Sequence, residues 1–143
     1  MHLYKNLNHI SITVTDLEAT RAFYEGKLGL KTIPRPDFGF PGVWYGLDGD
    51  LSLHIITAKD APFTERQRTT FDLRQAHFAL WTDDCDATAA KIEALGLVCR
   101  DVISGPTGLR QVFVKDPDGN MIEFIGSSKN AGARIMESAG THR

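Results

Sequence analysis

At 143 residues, 42% apolar and 24% charged, the chain has the length of one domain and the composition of an ordinary soluble globular protein. A formal net charge of -2 provides no basic footprint, which argues against nucleic acid or an acidic membrane as partner. Met1 to Lys5 is polar, no apolar run has signal-peptide or transmembrane length, and Cys85 and Cys99 form no C-x-x-C pair, so the expectation is a cytoplasmic protein with reduced, packed thiols.

The first predicted element is a strand at "NHISITV" (8–14). Ile10, Ile12 and Val14 share one face and His9, Ser11 and Thr13 the other. Thr15-Asp16 then offers a helix cap, and Leu17, Tyr24 and Leu28 recur at helical spacing, with Glu18, Glu25 and Lys27 on the wet face. Leu28-Gly29-Leu30 ends the helix, because glycine can take the left-handed conformation found at helix C-termini. Three short strands follow, at 30–35, 43–47 and 51–56. "PRPDFGFPG" (34–42) is a rigid loop whose Phe38 and Phe40 serve either as a lid over a pocket or as the hydrophobic anchor of an ordinary loop.

Residues 58–74, polar and with three arginines, read as a linker. The pattern then restarts. "AHFALWT" (76–82) is a strand with Phe78 and Leu80 on one face and His77 on the other. Asp83-Asp84 caps a helix carrying Cys85, Ile92 and Leu95, and Leu95-Gly96-Leu97 ends it. Strands at 98–102, 110–115 and 121–125 follow, the last two joined by "KDPDGN" (115–120), a turn sequence. Residues 127–143 form a tail poor in apolar side chains.

The chain is thus two copies of a β-α-β-β-β unit. An offset of 68 places His9 on His77, and an offset of 69 places His54 on Glu123. Of five histidines, His2 and His142 are terminal, and the other three fall in strands. A single strand histidine is most simply a core imidazole bonded to a carbonyl, and Arg110 and Lys115 are most simply surface charge. A carboxylate at Glu123, amid Met121, Ile122, Phe124 and Ile125, costs several kcal/mol if buried unpaired. Together, His9, His54, His77 and Glu123 form an imidazole–carboxylate set suited to Zn2+, Ni2+, Fe2+, Mn2+ or Co2+. A pseudo-twofold axis would gather them around one divalent ion per site, with the halves paired within one chain or between two. Period-two alternation adds Ser11, Thr13, Ser52 and Trp81 to the same faces, as the lining of a pocket for a small-molecule substrate. Arg110 and Phe113 on the seventh strand complete the expected lining, with Arg110 and Lys115 available to an anionic substrate.

"NHISITVTDLEATRAFYEGKLGL", "LSLHII", "AHFALWTDD" and "VFVKDPDGNMIEFI" resemble the vicinal oxygen chelate superfamily, the glyoxalase/bleomycin-resistance/dioxygenase fold. The resemblance implies an α+β domain over 7–126, made of two βαβββ modules (7–57 and 75–126) forming a curved mixed sheet, and a homodimer. It implies metal ligands at His9, His54, His77 and Glu123. In glyoxalase I, a lyase, the ion acts as Lewis acid and a carboxylate moves the proton, roles that would fall to the ion and Glu123. His54 stands where those enzymes commonly have a second carboxylate, and Gly26 where one branch has a glutathione-contacting arginine. Extradiol dioxygenases match differently, with His9, His77 and Glu123 on Fe(II) and His54 as an acid/base histidine beside it. Phe113 replaces the tyrosine of both those enzymes and the fosfomycin-modifying thiol transferases. Metal-free drug-binding resistance proteins lack the ligands altogether.

Overall fold

The computed structural model describes residues 1–61 and 63–129; residues 130–143, most of the expected tail, lie outside the described residues. The chain divides into two compact units, Met1–Pro62 and Phe63–Arg143. Among the described residues no helix is long and apolar enough to cross a membrane.

In the first unit β1 (His9–Val14) leads into α1 (Leu17–Arg21), followed by β2 (Lys31–Ile33), β3 (Gly42–Gly46) and β4 (Ser52–Thr57). Asp16, in extended backbone, caps α1 by accepting from the Ala19 amide at 3.0 Å. The helix continues as a π-helical segment, Ala22–Lys27, closed by the bond from the Leu28 amide to the Phe23 carbonyl. Glu25 lies there, and it is more than a solvated residue: it accepts from the buried Tyr45 hydroxyl at 2.8 Å and pairs with Arg21 at 2.7 Å. Leu-Gly-Leu ends the segment with Gly29 at φ +74°, as its counterpart ends the second helix with Gly96 at φ +68°. Strand order is β1-β4-β3-β2, with β1 and β4 parallel and the other pairs antiparallel. Val14, Val43, Tyr45, Leu53 and Ile55 are buried with Phe23 and Tyr24. Strand parity sends His9, Ser11, Thr13, Ser52, His54 and Trp44 to the opposite face.

The second unit repeats this order. After α2 (Glu65–Thr69) come β5 (His77–Trp81), α3 (Cys85–Ala94), β6 (Cys99–Ile103), β7 (Arg110–Lys115) and β8 (Met121–Gly126). The sheet order is β5-β8-β7-β6, again with one parallel pair, β5 and β8. Asp84 caps α3 through the Ala87 amide at 3.0 Å. The β7–β8 hairpin is organised by Asp116, whose carboxylate accepts from the Asp118 and Asn120 amides at 3.0 and 2.9 Å. The result is α+β, two four-stranded mixed sheets of identical connectivity.

Part of the linker is structural. Phe71 is 2% exposed and forms a core cluster with Val102, Phe113 and Met121. Three apolar neighbours and a missing cost of exposure explain why this polar stretch is held against the sheet. Cys85 and Cys99 are buried free thiols, and burial pushes the Cys85 thiol up to about 11.

Candidate metal site

Each unit holds two of the four expected ligands, and within neither unit do three or more His, Cys, Asp or Glu side chains among the described residues gather closely enough to hold an ion. The two pairs differ in geometry.

In the second unit the parallel register sets Ala79 opposite Glu123, two residues along from His77, so His77 and Glu123 leave the same face. His77 Nδ1 lies 2.8 Å from the Gln75 carbonyl oxygen. A carbonyl only accepts, so Nδ1 carries a proton and Nε2 is the nitrogen turned toward Glu123, the arrangement found in metal-ligating imidazoles. That Nε2 is 3.3 Å from Glu123 Oε2. Glu123 is 5% exposed, and its Oε1 accepts from Gln111 Nε2 at 2.7 Å. Among the described residues no lysine or arginine forms an ion pair with it. An imidazole nitrogen and a buried carboxylate directed at one another call for a proton or a cation between them.

The support beneath this pair is specific. Gln75, whose carbonyl fixes His77, donates through its own side-chain amide to the Gly119 carbonyl at 2.8 Å and accepts from Lys115 Nζ at 2.6 Å. Lys115 also donates to the Gln67 carbonyl and lies over the Phe71 ring, 5.7 Å from its centroid. Burial lowers the Lys115 ammonium to about 8. Phe113 meets the His77 ring edge-on, at 5.7 Å between centroids.

In the first unit His54 is stacked on both sides. The His9 ring lies 4.1 Å away at an interplanar angle of 10°, and Trp44 lies 3.9 Å away at 5°. The strand order, with β4 between β1 and β3, puts the two neighbours on opposite faces of the His54 ring. His9 Nδ1 contacts Asn8 Oδ1 at 2.7 Å, and His54 Nε2 contacts Ser52 Oγ at 2.9 Å. Burial, then the neighbouring His9 and Arg35, hold His54 below the ordinary histidine value, which favours the neutral ring. An imidazole binds an ion in its own plane at about 2.0–2.1 Å. Two nearly parallel planes so far apart share no such point, so His9 and His54 bind one ion together only if a ring turns.

The remaining expected residues separate. Ser52 is buried and bonded to His54, and Ser11 and Thr13 share its face. Trp81, on the His77 face of β5, is 77% exposed. Phe113 is buried against His77 rather than open to a pocket. Arg110 departs from expectation. Parity places it on the α3 face of the sheet, opposite to Phe113 and Glu123, where Asp101 binds it at 2.8 and 2.6 Å and Asp86 at 2.7 Å. All three guanidinium nitrogens are engaged, so it serves the packing of α3 and not an anionic substrate. Lys115 is likewise engaged by backbone and side-chain oxygens.

Sequence reasoning did not single out Gln111, Gln75 or Trp44. Gln111 had a signal, because it shares the parity of Phe113 and the Phe113–Glu123 pairing puts it beside the carboxylate. It also lines an open cleft of about 480 Å³ with Phe71, Arg74, Arg100, Val102 and Pro106. Four of the eleven residues lining that cleft, Phe71 to Arg74, come from the linker, which strand patterning does not reach.

A repeated βαβββ unit with ligand-type side chains on its first and fourth strands defines a class. The chain belongs to the Glyoxalase/Bleomycin resistance protein/Dioxygenase superfamily, which it matches over residues 6–124. Among curated relatives it is 29% identical over 127 residues to Glyoxylase I 4 of Arabidopsis thaliana, covering 87% of this chain and 71% of that protein. It is 31% identical over 125 residues to the lactoylglutathione lyase of Haemophilus influenzae, covering 82% of this chain and 89% of that one. A glyoxalase family protein from Enterococcus faecalis has the same fold, with a TM-score of 0.70 at 22% identity over 87% of this chain and 100% of its own.

Proposed function

We propose that the protein is a divalent-metal-dependent lyase or isomerase of glyoxalase I type, acting on a small substrate with vicinal oxygens. The observation that carries this is the His77–Glu123 pair, a buried carboxylate facing Nε2 of an imidazole whose Nδ1 is held by a backbone carbonyl. The relatives named as a glyoxylase I and a lactoylglutathione lyase agree with it. One ion would take His77 and Glu123 with ligands from the His9–His54 pair, the modules joining within one chain or across a homodimer. The donor set fits Zn2+, Ni2+, Fe2+, Mn2+ or Co2+.

When bound, the ion would supply Lewis acidity to the substrate oxygens. The chain supplies the rest. Gln111 holds Oε1 of Glu123, leaving Oε2 to ligate or to take and return a proton next to the bound oxygens. Gln75 keeps the His77 proton on Nδ1, away from the reacting side. Elemental analysis of protein purified without chelators tests the proposal, together with turnover of hemithioacetals of 2-oxoaldehydes. About one ion per site with isomerisation supports it; protein free of divalent metal sinks it.

The stacking of His54 favours a second reading, in which His9, His77 and Glu123 hold Fe(II) and His54 acts as acid or base beside it in extradiol ring cleavage. Oxygen uptake with catechols after anaerobic Fe(II) loading decides between the two.

A further inference from the structure

The first unit contains a cation that neither reading uses. Arg35, in the loop before β3, is half-buried, and its guanidinium carbon lies 5.0 Å from the Phe38 ring centroid and 5.1 Å from that of Phe40. Its Nη2 donates to the Phe40 carbonyl at 3.1 Å, while its Nε is buried without a hydrogen-bond partner. Gly42 makes the room for this. A Cβ there would come within 3.0 Å of Arg35 Nε and Cζ and within 2.4 Å of the Ile55 carbonyl oxygen. Among the described residues Arg35 forms no ion pair, whereas Arg21, Arg74 and Arg110 are paired with carboxylates and Lys115 is held by carbonyl oxygens.

The aromatic surface beside this cation is continuous with the candidate ligands. Phe38 is 5.9 Å from Phe40 and 5.9 Å from Trp44, and Trp44 stacks on His54, which stacks on His9. Phe38 and Phe40 are 50% and 43% exposed. A guanidinium with spare donors, held over aromatic rings and followed by an apolar strip that ends at imidazoles, is complementary to one kind of ligand.

We propose that Arg35, Phe38, Phe40 and Trp44 form a substrate subsite that selects a small organic acid, its anionic group on Arg35 and its apolar or planar portion along the rings. This names the substrate class of the metal site and so rests on the reading above. Arg35 acts here as a specificity residue, and the loop expected as a lid is a wall of the subsite that bears charge.

The test uses purified full-length protein and two ligands of one skeleton, mandelate and the neutral 1-phenyl-1,2-ethanediol, titrated calorimetrically against wild type and Arg35→Gln. Wild type is expected to prefer the acid by about tenfold or more, the discrimination of one charge-assisted hydrogen bond. Arg35→Gln should erase that preference while leaving diol affinity within about twofold. A preference that survives in Arg35→Gln overturns the subsite, since the ion alone would then bind the carboxylate. Equal loss of both ligands also overturns it, leaving Arg35 as a staple for its loop. So does failure of both ligands to bind with a changed oligomeric state in the variant, which would make the patch a contact between copies. Phenylacetate, which lacks vicinal oxygens, separates this from the metal reading: binding that depends on Arg35 in metal-free protein upholds the subsite even where no ion is found.

Discussion

Gln111 and Glu123 are joined by a 2.7 Å hydrogen bond across neighbouring strands, and the carboxylate has its other oxygen toward His77. Gln111 therefore sets which oxygen of Glu123 is offered to an ion. Partners of this kind change metal affinity by roughly 10–100-fold when removed. Gln111→Leu is expected to weaken metal binding within that range in a competition titration, with the fold intact by circular dichroism. Glu123→Gln and His77→Ala should each lose bound metal outright. Full occupancy in both would move the site elsewhere.

His54 distinguishes a ligand from a neighbour. It is stacked between Trp44 and His9, and in the ring-cleavage reading it acts on the substrate without holding the ion. If so, His54→Ala keeps close to wild-type metal content while turnover falls by about 10²–10⁴-fold, the usual loss of an acid–base group. Metal loss equal to that of His77→Ala would instead make His54 the fourth ligand.

Phe71 gives the linker a measurable role. Its ring is 2% exposed among Val102, Phe113 and Met121, and truncating a buried phenylalanine costs about 3–5 kcal/mol. Phe71→Ala should lower the urea midpoint accordingly, whereas substitution of the exposed Leu73 nearby should change it little. Equal effects would show that the segment is not part of the core.

Lys115 gives a pH dependence with a definite sign. Burial lowers its folded value to about 8, below the roughly 10.4 of a free lysine. Between those two values the unfolded chain binds more protons than the folded one, so this group's contribution to stability rises with pH across that window. Wild type should therefore gain stability relative to Lys115→Met between pH 8 and pH 10, read from urea midpoints. A flat difference would mean that the ammonium stays charged throughout and is held by Gln67 and Gln75.

Much of the fold was legible because local rules repeat. Asp16 and Asp84 cap, Gly29 and Gly96 terminate, and strand parity sends His9 and His77 to one kind of face in each unit. The four candidate ligands sit on first and fourth strands, at equivalent points of the pairing: Ser11 opposite His54 and Ala79 opposite Glu123. The errors lay where parity was not applied or where sequence distance was long. Arg110 and Phe113 are three residues apart and cannot share a strand face, so both could not line one pocket. The His54–Trp44 stack and the Gln75–Lys115 bond join residues 10 and 40 apart, fixed by packing that no local pattern encodes.

The Trp44–His54 stack also gives the site an optical signal of its own. Of the two tryptophans, Trp81 is 77% exposed, whereas Trp44 lies face to face with His54 at 3.9 Å. An indole in that position senses whether the adjacent imidazole is neutral, protonated or turned away. Emission from Trp44 is therefore expected to follow events at His54 in the unlabelled chain.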